Sequence, residues 1–254
     1  MKIKDIIIED DEYDKLAQTV AQDIAWSHQN KINIMKTSLL ELSAFAKRTA
    51  QPYLTQIGGI ENALFNYPLY RGVAGDDYHS MDIPNDHPFN TVAIRKDRNP
   101  KDTPKNVSAA IDDWFEEKTN IRIRRQSLFC FGREAKASAY GITVAVIPTG
   151  NFSYCWSKEY GDMYESMERF VDAMGDGDEY STPYSLKEKM KQVFDDYNYL
   201  DDFMTAGDYQ FNKGLVEGIR SGREMMLIAD KAIVVNSFWL DLAKYHYQNE
   251  NWTI

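Results

Sequence analysis

The chain has 254 residues, 43% of them hydrophobic and 13% aromatic, the content of a globular protein with a substantial core rather than a disordered one. Its net charge of −10 and pI of about 4.9 argue against a broadly electrostatic nucleic-acid binder, which needs a basic face. Two cysteines without zinc spacing and four histidines without an HxxxH pair leave no expected metal.

The opening "MKIKDIIIEDDEYDK" has an apolar run of only Ile6, Ile7 and Ile8 followed at once by acids, unlike a signal peptide. No apolar stretch approaches the ~18 residues of a membrane span. The expectation is a cytoplasmic protein with no membrane partner.

Residues 11–66 read as helical. "DEYDKLAQTVAQDIAWSH" spaces Tyr13, Leu16, Val20 and Ile24 as an amphipathic stripe, and the next segment does the same with Ile34, Leu39, Leu42, Phe45 and Ala46. Pro52 ends that helix or starts the next, which breaks near Gly58 and Gly59. The pattern then changes to short aromatic and aliphatic runs. "YPLYRGV" and "TVAIRKD" read as strands, separated by a polar loop. The basic loop "RKDRNPKDTPK" brings Arg95, Lys96, Arg98 and Lys101 close together, either as a solvated loop or as a contact for phosphates or nucleic acid.

A helix follows with Val107, Ile111, Trp114 and Phe115 inward and Asn120 as its C-terminal cap. "IRIRRQSLFCFG" reads as one strand, "REAKASAY" as a short helix, and "GITVAVIPTG" and "NFSYCWS" as two strands broken at Pro148 and Gly150. Cys130 and Cys155 lie in these apolar runs, where buried free thiols are expected. Helices are expected at about 160–173 and 185–197. The loop between them carries Asp176, Asp178 and Glu179, which do not fit a calcium-loop template. A short helix, then "SGREMMLIADKAIVVNS" as two strands with a turn at Ala229-Asp230, and a closing helix complete the chain. The division is a helical N-terminal region, 1–66, and an α+β domain, 67–254. Strands and helices do not alternate regularly, which disfavours a doubly wound parallel sheet.

There is no phosphate-binding P-loop, GxSxG elbow or HExxH helix. Three strand-borne polar residues remain: Arg71 in "LYRG", Ser127 in "RRQSLF" and Glu224 in "GREMML". Taken singly, each is an ordinary surface or strand residue.

In that order, over residues 67–237, they resemble the mono-ADP-ribosyltransferases of the Arg–Ser–Glu type, which include bacterial toxins and many bacteriophage proteins. "YRG" is similar to the family's first motif. Only Ser127 is kept of a Ser-Thr-Ser-like segment, and Glu224 takes the glutamate position. Gly222 stands where many members have a second Glu or Gln, which leaves the acceptor open. The runs "RNPKDTPKNVSAAIDDWFEEK" and "PTGNFSYCWS" are also similar to phage proteins of unknown function.

The resemblance implies a split, mixed β-sheet flanked by helices, with NAD as substrate and no metal. A host protein or nucleic acid would be the acceptor. Cleavage at the nicotinamide ribose develops an oxocarbenium-like cation, which needs a nearby carboxylate, and Glu224 would supply it. Arg71 would bind the pyrophosphate, since a planar, permanently charged group suits it. Ser127 would bridge the glutamate and the ribose. Gly72 and Tyr140 join the expected NAD contacts, although Phe129 serves equally well for stacking nicotinamide. The other reading is a catalytically inactive phage protein that binds a host factor. The oligomeric state stays open.

Overall fold

The computed structural model describes residues 10–74, 88–98, 103–174, 183–250 and 252–254, with side chains from residue 29 onward except at 183–185. The stripe at Tyr13, Leu16, Val20 and Ile24, His79 and His87, Lys101 and the acidic triplet at 176–179 lie outside the described residues and side chains.

The helical N-terminus is one helix, α1 (Asp10–Thr49), not two. Its core stripe is Ile32, Met35, Leu39, Leu42 and Ala46, at alternating spacings of three and four. Ile34, expected on that stripe, is exposed because it lies about 100° round the helix from Met35. α2 (Gln51–Ile57) carries Pro52 in its first turn, where its fixed φ is suited, and is capped by Gly58. A π-helical turn, Asn62–Asn66, leads into the sheet.

Among the described residues six strands form the sheet: β1 (Leu69–Val73), β2 (Phe89–Ala93), β3 (Leu128–Phe131), β4 (Ile142–Ser157), β5 (Tyr209–Phe211) and β6 (Glu224–Asn236). β4 and β6 run side by side from Val144↔Asn236 to Trp156↔Met225 and form a long central ribbon. β1 and β5 attach to successive stretches of β4, and β2 and β3 to successive stretches of β6. β1 and β3 flank opposite ends of this ribbon, yet Tyr70 pairs with Phe131. The ribbon therefore curls until the circuit β1–β4–β6–β3 closes.

Each of these pairings is antiparallel, which corrects the mixed sheet implied by the resemblance. The four short strands expected at 141–157 and 221–237 are also corrected to two long ones. The signals at Pro148, Gly150 and Ala229-Asp230 mark a register shift between Thr149 and Phe152, opposite Ala229. A bulge accommodates proline and bends a strand without reversing it.

The helices α3 (Lys105–Thr119), α4 (Ile123–Gln126), α5 (Glu134–Ala137), α6 (Met163–Met174), α7 (Pro183–Phe194), α8 (Tyr197–Ala206), α9 (Leu215–Ser221) and α10 (Ser237–Asn249) fill the connections. α3 buries Val107, Ile111, Trp114 and Phe115 and ends at Asn120 in the left-handed conformation, both as expected. "IRIRRQ" is not the start of a strand. Asp112, buried on α3, accepts the Arg125 backbone N–H at 3.2 Å, and this tertiary contact winds the segment into the one-turn α4. α8 lacks a counterpart in the sequence reading; Asp196 caps its N-terminus at the Asn198 N–H.

Two apolar clusters lie on the sheet. One joins Leu39, Leu42 and Tyr53 of the N-terminal helices to Leu69, Val146, Ile233 and Val235 of the strands and to Leu240 of α10. The other gathers α3, α6, α7 and α8 around Cys155, Met226 and Phe129. Residue 66 is therefore not a boundary of the core. Both cysteines are buried and free. No described helix is long and apolar enough to cross a membrane.

Candidate functional site

β3 is the axis of the site. Its register with β6 puts Phe129 opposite Met226 and Phe131 opposite Glu224, so these four side chains share one face. Arg71, on β1, donates from Nη1 to the Phe129 carbonyl at 3.2 Å. Arg98, at the end of the described stretch 88–98, donates to the Ser127 carbonyl at 3.0 Å and lies over the Phe129 ring at 4.7 Å. Arg124, 5% exposed, also faces Phe129, at 5.5 Å.

Glu224 opens β6 directly after the turn that ends α9. It is half-buried, and Oε2 accepts the Met163 N–H at 3.1 Å, at the first turn of α6. Asp162 caps the same helix: it accepts the Glu165 N–H at 3.0 Å and the Tyr140 hydroxyl at 2.9 Å. Two carboxylates thus meet at one helix N-terminus, where the backbone N–H groups and the helix dipole favour negative charge. Burial nevertheless raises the Glu224 carboxyl to about 7, with Asp162 adding to the effect and Arg124, the Met163 N–H and Arg98 opposing it. The crevice beside Glu224 is too narrow to admit a water molecule and is lined by Ser157, Tyr160, Met163, Tyr209 and Met226.

Tyr140 stacks on Phe131 with ring centroids 5.6 Å apart, and its own ring is half exposed. Gly72 lies beneath it. A Cβ there would fall 2.0 Å from the Ala137 carbonyl and 2.8 Å from Tyr140 Cβ, so packing alone demands glycine in "YRG". Gly222 is the left-handed C-terminal cap of α9, at φ 70°. A side chain at that position would be strained and would meet Arg133.

The expected residues are thus brought together only in part. Arg71 reaches the middle of β3, while Gly72, Tyr140 and Glu224 gather around its Phe131 end. Ser127 lies at the other end, four residues or about 13 Å of strand away. Its hydroxyl is fully buried and has no hydrogen-bond partner among the described residues, so the expected bridge to Glu224 is not made. Of the basic loop, Arg95 pairs with Asp97 and Lys96 with Asp230, both at the surface, and Arg98 turns inward.

Sequence reading missed Asp162 and Arg124 as site residues. "DMYE", with an acid three residues ahead of a glutamate, is a helix-start signature that could have flagged Asp162. Arg124 carried no such signal, because its burial depends on α4 being helical. Cys130 lies close by, but burial pushes its thiol up to about 12, which disfavours a nucleophilic thiolate despite Arg71 and Arg98. No group of three or more metal-ligating side chains occurs among the described residues. No protein-family model, curated protein or solved structure matches the chain.

Proposed function

We propose that the protein is an NAD-dependent mono-ADP-ribosyltransferase of the Arg–Ser–Glu type. The observation that carries this reading is the convergence of Arg71 and Glu224 on β3, one bonded to Phe129 and the other opposite Phe131. In the reaction the bond between nicotinamide nitrogen and ribose C1′ breaks, and its electron pair leaves with nicotinamide. An acceptor nucleophile then bonds to C1′ and releases a proton. Glu224, as carboxylate, steadies the cationic ribose, and Arg71 holds the pyrophosphate. Tyr140, half exposed and held by Asp162, offers a ring for nicotinamide. Ser127, whose hydroxyl makes no bond to Glu224, takes no part in this step. The antiparallel sheet departs from the family expectation, so the reading rests on the site.

The test is NAD consumption by purified protein, with transfer of labelled ADP-ribose to host lysate. Glu224→Gln should lower the rate about 10²–10³-fold, the scale of losing one charge-stabilising group. Arg71→Ala should weaken it through KM. Absence of both hydrolysis and labelling by the wild type overturns the proposal. The narrowness of the crevice at Glu224 favours a second reading, a catalytically inactive phage protein that binds a host factor. On that reading Glu224→Gln retains full biological effect and capture of the host factor.

A further inference from the structure

Among the described residues, Arg98 and Arg124 carry positive charge into the protein without ion pairing to a carboxylate. Acidic residues are not scarce, since Asp and Glu number 39 against 29 Lys and Arg. Each guanidinium has five N–H donors. Arg98 places one on the Ser127 carbonyl, and Arg124 contacts Met163 Sδ and Thr103 Oγ1, the latter at 3.3 Å. Arg124 Nε and Ser127 Oγ are buried with no hydrogen-bond partner among the described residues. Both cations lie over the Phe129 ring, and Arg71 is bonded to the carbonyl of the same residue. Like charges gathered in a partly buried site are unfavourable unless an anion completes it.

We propose that Arg98 and Arg124, together with Arg71, form a diphosphate-binding subsite around Phe129. The need for an anion stands on Arg98 and Arg124, which feel the charge of Glu224 but form no ion pair with it. The choice of a diphosphate over a single phosphate rests on the transferase reading, in which the pyrophosphate of NAD lies across two or more guanidiniums, each able to bond phosphate oxygens in a planar fork. Burial, followed by repulsion from Arg71, lowers the affinity of Arg98 for its proton, with Glu224 among the groups that oppose the effect.

The experiment titrates inorganic pyrophosphate by calorimetry and thermal melting at constant ionic strength, with sulfate and chloride as comparators. Wild-type protein should gain Tm with pyrophosphate beyond the gain with either comparator. Arg98→Gln and Arg124→Met should each weaken pyrophosphate binding at least tenfold while their ligand-free Tm holds or rises, because an uncompensated charge has been removed. Arg122→Gln, which alters an exposed arginine paired with Asp113 and Glu116, should bind as wild type does. A purely structural role, such as the Arg98 bond to the Ser127 carbonyl, predicts the opposite, a lower ligand-free Tm with unchanged affinity. Should Arg124→Met fail to fold, the half-buried Arg98→Gln carries the test. Absence of pyrophosphate-specific stabilisation, or unchanged affinity in Arg98→Gln, overturns the inference even if NAD is cleaved. Pyrophosphate binding that depends on these arginines, without NAD cleavage, supports the subsite and removes the transferase reading.

Discussion

Glu224 sits where its charge is disfavoured, and that has a consequence for stability. Its carboxyl is raised to about 7 in the folded state, by burial first and by Asp162 second. Between the ordinary carboxylate range and about pH 7 the folded chain therefore holds more of this proton than the unfolded chain. Stability is greatest below that window and falls as pH rises through it. Glu224→Gln keeps an acceptor for the Met163 N–H and removes the titration. It should raise Tm at pH 8 by about 2–4 °C, the response to roughly 1 kcal/mol in a chain of this size, and leave it unchanged near pH 4. Melting curves from pH 4 to 8 check this. Gly222 makes the second residue-scale prediction. Gly222→Glu forces a side chain into φ 70° against Arg133, and should cost about 1–2 kcal/mol in urea melts without adding activity. Gly222 is thus accounted for by the requirement of a helix cap.

At the scale of elements, the site depends on how α5 and the short 3₁₀ turn Ser138–Tyr140 lie on β1. Gly72→Ala places a methyl group 2.0 Å from the Ala137 carbonyl. The turn must lift, at a cost of about 1–3 kcal/mol, the range for overpacking. Tyr140 should then lose its stack on Phe131 and its bond to Asp162, visible as a lower Tm and a changed near-ultraviolet circular dichroism spectrum. Elements with a regular period were legible: α3, with its four inward residues and its Asn120 cap, follows from the sequence alone. Strand ends were not legible. Pro148, Gly150 and Ala229-Asp230 carry the composition of turns, but a bulge uses the same residues, and only the pairing of β4 with β6 distinguishes the two.

Across the whole molecule, the N-terminal helices and the sheet share one apolar cluster. Leu39, Leu42 and Tyr53 are each fully buried and pack in the same core as the strands. A chain beginning at residue 67 should therefore fail to fold alone, exposing the faces of β1, β4 and β6 that the helices cover. Circular dichroism and amide NMR dispersion of that fragment test this; a cooperatively folded fragment would show the helices to be an appendage.

The sequence by itself determined the broad class, a helical start followed by strands and helices with inert buried thiols, because composition and periodicity are local properties. It also singled out Arg71 and Glu224, whose residue types suit the proposed chemistry. Tertiary structure alone decided that Arg71, Gly72, Tyr140 and Glu224 border β3 together, that Ser127 stays apart from Glu224, and that Arg98, Arg124 and Asp162 join the site. The reason is physical: contacts among residues some 150 positions apart depend on strand register and on the curl of the β4–β6 ribbon, and neither is set by any local stretch of chain.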